Sequence, residues 1–391
     1  MRWIVLLCSF LSFIAFAKPS DMSSGMMQEV QKPWPQWLGE ELKPDFNSHW
    51  QTEITDLGVT YSPAQSLPTV LVIISRKAKS YDTALNTLLG AFSRELPQAQ
   101  LVIRKLPTEK AELTELLNLA EQSSDLIYTV GSKATVAVRE VFKGRQTPVV
   151  SVNAKDPVQL GLIEDYQGSG DNFAFTSLNL PADVTLAFMQ RFKPHLEQVA
   201  VLYAKSNKSA YVTQYLPLKK EAEQKGVKVW PIVVDESDPD LRLKTTMKRT
   251  IAELKQNDPN LTKTVLWLTG SSSLLARVAE INQYSSNLPL ISAVPDVVRQ
   301  GKDSALMSFG VSFVNNAHQA ALYGLSILKG ETTAGELPVG LISPPDIAIS
   351  FEQAQRINQQ IPFVLMEMAS DVYDTDGKVI RSEGKSMQEQ Q

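Results

Sequence analysis

From residue 69 onward, short runs of β-branched and aliphatic residues alternate with amphipathic segments, and this rhythm limits the chain to very few folds. The runs are TVLVIIS (69–75), LVIRKL (101–106), LIYTVG (126–131) and PVVSVN (148–153), followed by FAFTSL (173–178), QVAVLYA (198–204) and VKVWPIVV (227–234). TVLWLTG (264–270), PLISAV (289–294), ALMSFGVSF (305–313) and DIAISF (346–351) complete them. Continuous apolar strands are those buried on both faces, as in parallel sheets covered by helices. Between them, Leu85, Leu88, Leu89, Phe92 and Leu96 keep a helical period, and Leu113, Leu116, Leu117 and Leu119 mark the next helix. In 312–329, Ala317, Ala320, Ala321 and Gly324 would let a helix pack closely. A βα unit every ~25–30 residues means a doubly wound α/β architecture. About ten strands exceed one ordinary open sheet, so two lobes are expected, and FAFTSLNLPADV near 173–184 is a natural first crossing between them.

The flanks read differently. MRWIVLLCSFLSFIAFA has one positive charge, Arg2, before an apolar run shorter than the ~20 residues of a spanning helix. Ala15-Phe16-Ala17 fits a cleavage site, so residues 1–17 read as an export signal. Cys8 lies inside that run without a small residue before it, which argues against lipoprotein processing. It is the only cysteine, so the processed chain has no disulfide, thiolate metal site or cysteine nucleophile. These features predict an exported soluble protein of the Gram-negative periplasm. Residues 18–67 are rich in proline and carry Trp34, Trp37 and Trp50, three of six tryptophans. These rings either pack on the main body or form an exposed partner-binding arm. After about Ser370 the pattern stops, and 369–391 reads as a polar, mobile tail.

Charge and motifs exclude several functions. A net charge of −4 with 20% charged residues offers no basic surface for nucleic acid or anionic lipid. There is no P-loop, no G-x-G-x-x-G and no G-x-S-x-G, since GSSSL at 270–274 fails at its last position. His49, His195 and His318 stand far apart; an envelope hydrolase with a triad assembled in space is a minor alternative. Asp374, Asp376, Gly377 and Glu383 imitate part of a calcium loop, but Val372 holds its first position, so an Asp-Gly turn is the better reading. No cofactor or metal is expected.

In doubly wound folds ligands bind beyond the carboxyl ends of strands. The polar stretches there supply the candidates: Ser75 and Arg76; Ser132 and Lys133; Asn153, Lys155 and Asp156; Tyr203, Ser206 and Asn207; Thr269 and Ser271; and Asp296. Each has a simpler role as a helix cap. Asp156 before Pro157 is an excellent cap by position, which leaves Asn153 and Lys155 as the better ligand or closure candidates.

PVVSVNAKDPVQLGLI, QVAVLYAKSNKSA and ALMSFGVSFVNNAHQAALYGLSILKGE together carry a family likeness. Residues 69–365 resemble the periplasmic substrate-binding proteins of ABC importers, of the tryptophan/tyrosine type. Asp156-Pro157-Val158 with Gly161-Leu162, Phe309-Gly310-Val311 and Leu328-Lys329-Gly330 stand in the family's order and spacing. The resemblance implies a type I periplasmic-binding fold, two Rossmann-like lobes joined by three crossings, and adds Phe309 to the candidate ligand contacts. It places lobe one at 68–176 plus 297–338 and lobe two at 177–296 plus 339–368. It also implies a monomer that closes on a small-molecule ligand, amino-acid-like or a related metabolite, and hands it to an inner-membrane ABC permease. A membrane sensor using the protein as ligand-binding input or scaffold, without transport, is the alternative. Many relatives have an acid in the loop matching Thr269 to Ser272, where it would suit an ammonium group. TGSSS has none, and SAVPD offers only Asp296, so the site is less suited to a cation and points to a less basic or differently shaped solute.

Overall fold

The computed structural model describes residues 32–45, 48–63 and 67–387; the expected export segment 1–17 lies outside them. Two sheets organise the chain from Trp34 onward. The first has seven strands in the spatial order Gln51–Ile54, Gly58–Ser62, Gln100–Lys105, Thr69–Ile74, Leu126–Val130, Val149–Val152, Phe173–Ala174. The last five run parallel. Val70, Val72 and Ile74 point to one face, under the helices Lys79–Glu95 and Phe313–Leu328. Leu71 and Ile73 point to the other, with core residues of Lys110–Ser123 and Ser132–Phe142. The period-2 alternation thus finds an apolar cover on both sides, which is why the sequence reads as an unbroken apolar run. The small-residue face of Phe313–Leu328 packs as expected: a Cβ on Gly324 would stand 2.0 Å from the Tyr128 hydroxyl, which donates to Ala320 O at 3.1 Å.

The second sheet has nine strands: Lys228–Val234, Gln198–Ala204, Thr264–Leu268, Leu290–Ser292, Met307–Ser308, Ala348–Ser350, Asp371–Tyr373, Val379–Ser382, Lys385–Ser386. The first five are parallel, and Met307 then pairs antiparallel with Ile349. Two apolar clusters fill its faces.

The structure corrects the expected boundaries. Residues 297–312 belong to lobe two, because Met307–Ser308 extends that sheet and Val297, Val298 and Ala305 lie in its core. The long strand expected over 305–313 shrinks to two residues, and Phe313 already opens a helix whose cap is Ser312, its Oγ accepting from Asn315 N at 3.0 Å. The tail expected over 369–391 is instead folded as far as Met387: Asp371–Tyr373 adds in parallel to Ala348–Ser350, and two antiparallel strands follow. Among the described residues there only Ala369, Val372 and Gly377 are buried, so the sequence carried little apolar signal. The Asp-Gly turn reading fits: Asp374 Oδ1 accepts from Asp376 N and Lys378 N at 2.9 and 2.7 Å, and Gly377 has φ 77°.

The described part of the 18–67 extension is built into lobe one. Gln51–Ile54 and Gly58–Ser62 form a hairpin on the sheet edge. Trp34, Trp37 and Trp50 are half-buried against the lobe-one core. Gly39 N donates to Asp82 Oδ1 at 3.0 Å, and the Tyr61 hydroxyl to Leu42 O at 2.7 Å.

Three crossings join the lobes. The first, Thr176–Ser177, and the third, Gly340–Leu341, lie side by side as a two-stranded parallel pair. The second passes through Gly310, which bridges to Asp346. A Cβ on Gly310 would meet Ala293 O at 2.0 Å, so this crossing passes tightly against the end of a lobe-two strand.

Candidate functional site

The loop after Val149–Val152 leaves lobe one through Asn153, whose φ of 49° turns the chain sharply. Asn153 pays for this conformation with bonds: its N–H donates to Asn316 Oδ1 at 2.7 Å and its Nδ2 to Ser80 O at 2.9 Å. Asn316 Oδ1 also accepts from Thr176 Oγ1 at 3.0 Å, so one side chain ties this loop to the first crossing. Ala154 O accepts from Leu178 N at 2.9 Å, and Lys155 N donates to Ser132 Oγ at 2.8 Å.

Asp156 is a cap, but of one turn and not of the helix the sequence suggested. Its Oδ1 accepts from Gln159 N at 2.9 Å and its Oδ2 from the Tyr166 hydroxyl at 2.7 Å. Leu162 N closes the turn on Pro157 O at 2.9 Å. Gly161, at φ 70°, ends it, and Val158, Leu162 and Tyr166 pack on lobe one. Apolar spacing that looked helical is therefore a loop folded over an apolar cluster.

Lobe two meets this loop with a π-helical turn, Tyr211–Tyr215, set between the helical turn Lys208–Ala210 and the helix Leu216–Gln224. Such turns widen a helix by one residue and often mark functional sites. Here the turn aims Thr213 and Gln214 at the crossing. Thr213 O accepts from Asn179 Nδ2 at 2.9 Å, and Asn179 Oδ1 accepts from Asp156 N at 3.0 Å. Gln214 Oε1 accepts from Gly270 N at 2.8 Å and from Lys155 Nζ at 3.2 Å. Lys155 thus reaches from one lobe into the other, 6% exposed. Burial lowers its pKa from 10.5 to about 7, and no carboxylate among the described residues offsets that effect. A Cβ on Gly270 would stand 2.2 Å from Nζ, so glycine is what admits the amine.

Beside this contact lies a small, partly open cavity of about 20 Å³, lined by Asn179, Thr213, Gln214, Trp267, Phe309 and Gly310 among others. That is room for one water; its walls belong to lobe two and its crossings, and the two lobes meet at the Lys155–Gln214 contact. A wider hollow of about 750 Å³ opens on lobe one around Arg139, Lys143 and the loop Gly161 to Gly170. Arg139 is already held there by Asp171 at 2.9 Å through both guanidinium nitrogens.

Of the candidate residues, Ser132, Asn153, Lys155 and Asp156 come together on the lobe-one side of the contact. Phe309 lines the small cavity and stacks on Phe188 with centroids 4.1 Å apart. Thr269, Ser271 and Asn207 are knit to one another inside lobe two: Thr269 Oγ1 lies 3.1 Å from Ser271 Oγ, which accepts from Asn207 Nδ2 at 3.2 Å. Asn207 also caps its turn through Ala210 N at 3.1 Å. Tyr203 is buried in a trio with Tyr211 and Tyr215, and burial raises its pKa to about 12. Ser75 is buried, its hydroxyl donating to Val130 O at 3.0 Å. Arg76, Lys133 and Ser206 are exposed, and Arg76 lies over the Tyr81 ring.

Asp296 stands exposed at the second crossing. Its Oδ2 accepts from Phe313 N at 3.4 Å, and desolvation by the atoms around it, with Asp346 and Asp371 nearby, raises its pKa to about 6. No local pattern singles out Gln214 or Asn179, and Gly270 shows only as part of the uncharged loop TGSSS. Asn316 lay unnoticed on its helix. Each matters through a partner far away in the chain, and local spacing does not encode that.

The family model for ABC transporter substrate binding proteins matches residues 106–373. A tyrosine-binding protein of Clostridioides difficile is 21% identical over 266 residues, 68% of this chain and 68% of that protein. Among solved structures, a conserved domain protein of Vibrio cholerae superposes with a TM-score of 0.61 at 18% identity, covering 78% of this chain and 99% of its own. An ABC domain from Streptococcus pneumonia in complex with L-Trp gives 0.60 at 18% identity, with the same coverages. These likenesses confirm the two-lobe periplasmic-binding fold.

Proposed function

The chain belongs to the ABC transporter substrate-binding protein family, and from that premise we propose that it captures an amino acid or related metabolite between its lobes for an inner-membrane permease. The family is one of binding proteins and not of enzymes, and none of the interlobe groups is arranged as a nucleophile with its base. The observation that carries the reading is the Lys155–Gln214 contact, where loops from the carboxyl ends of both sheets meet beside the crossings. The names of the tyrosine-binding relative and of the L-Trp complex support an amino-acid-like guest. The leader-like sequence of residues 1–17 supports export to the periplasm, and we take the working form to be a monomer.

The mechanism follows from the hinge. Loops of the open lobes offer their hydrogen-bonding groups to the solute, and closure buries it. A ligand shifts that balance only by its differential affinity for the closed form. The closed form would then be the one a permease recognises. The aromatic extension lends little to the sensor alternative, because its three tryptophans are half-buried against lobe one. A thermal-shift screen of amino acids, small acids, sugars and nucleosides tests the proposal. At least one solute should raise the melting temperature in a concentration-dependent way; if every class leaves it unmoved, solute capture is wrong.

A further inference from the structure

The interlobe contact holds one buried amine with no counter-charge among the described residues. Lys155 has three N–H donors on Nζ, and its side chain makes one hydrogen bond among the described residues, to the neutral oxygen of Gln214. The two acids among the candidate residues have partners of their own. Asp156 accepts from Gln159 N and Tyr166, and Asp296 accepts from Phe313 N at the second crossing. The hydroxyls of Thr269 and Ser271 are bound to each other and to lobe two.

Two donors converge on Gln214 Oε1, one from each lobe: Lys155 Nζ at 3.2 Å and Gly270 N at 2.8 Å. Resting on the solute-capture reading above, we propose that this oxygen position is the anchor for a carboxylate of the solute, which displaces the Gln214 side chain between Lys155 Nζ and Gly270 N. A carboxylate offers about four lone-pair sites where the carboxamide offers two. Charge-assisted bonds to an ammonium are also shorter and roughly twice as strong as neutral ones. The exchange gives Lys155 the counter-charge that its burial lacks. Because the two donors come from opposite lobes, the same oxygen pulls the lobes together, which supplies the differential affinity that closure needs. The solute class is thereby defined by its acid, with or without an α-amine.

The test is isothermal titration of the purified protein with matched probes: L-tyrosine and L-tyrosinamide, 3-(4-hydroxyphenyl)propanoate and its primary amide, and tyramine. An acid should bind, its amide at least tenfold more weakly, and tyramine not at all. Lys155→Met should weaken the acid at least tenfold while the protein stays folded by circular dichroism. Gln214→Leu, which removes the competing oxygen, should hold or raise acid affinity. Amides that bind as tightly as acids, unchanged acid affinity in Lys155→Met, or silence from both acids would overturn the anchor. A sugar or nucleoside that binds while these acids do not would overturn the anchor alone and leave solute capture standing. If no solute of any class binds, solute capture itself fails.

Discussion

Lys155 sits in the closed contact at a cost that pH can reveal. Its pKa is about 7 in the fold, against 10.5 for the free side chain. Between those values the unfolded chain binds the proton more tightly, so stability rises with pH through that window. Below about pH 7 the amine is charged in both states, and the burial penalty is present in full. Lys155→Met should therefore raise the melting temperature at pH 6, and its advantage over the native protein should close by pH 10. Denaturant titrations at both pH values check this; an equal difference at both would mean that packing, and not charge, decides. The same residue shows what local sequence can reveal. Asn153, Lys155 and Asp156 were legible as a polar junction after a buried strand, and Asp156 was legible as a cap. Gln214 was not, because it lies inside a helical run and acquires its meaning from residues 155 and 270.

At the scale of elements, the strands were readable wherever both faces are covered, as in Thr69–Ile74 and Gln198–Ala204, whose side chains are nearly all buried. Strands with one wet face were still readable where the other face is apolar, as in Gln100–Lys105 and Lys228–Val234, but not where neither face is covered: Val379–Ser382 has no buried residue. The short strand Met307–Ser308 was overextended because the apolar residues after it serve a crossing and a helix instead. That crossing is rigidly built at Gly310. A methyl group there would meet Ala293 O, a backbone atom that cannot swing away. Gly310→Ala should cost about 1–3 kcal/mol, the usual range for overpacking, and lower the denaturant midpoint. A midpoint equal to the native one would show that the two strands can slide apart at no cost.

For the whole molecule, closure depends on a contact that a single methyl group can block. On Gly270 that group would meet Lys155 Nζ, the far end of a flexible chain, so the fold itself can adjust. Gly270→Ala should leave the melting temperature within a few degrees of native and shift small-angle scattering toward a larger radius of gyration, as the lobes part about their crossings. An unchanged radius would mean that Lys155 is not what holds them. The first and third crossings are paired side by side and Asn316 links the first to the Asn153 loop, so the crossings would act as a single hinge.

The placement of the flanking strands has a consequence for handling the protein. Gln51–Ile54 forms one outer rim of the first sheet, and Lys385–Ser386 one outer rim of the second. Each covers strands whose unpaired backbone groups would otherwise template sticking between molecules. Trimming both flanks to leave only the repeating βα body would strip two rims of their guards, and the shortened product would be prone to aggregate even with its cleft intact.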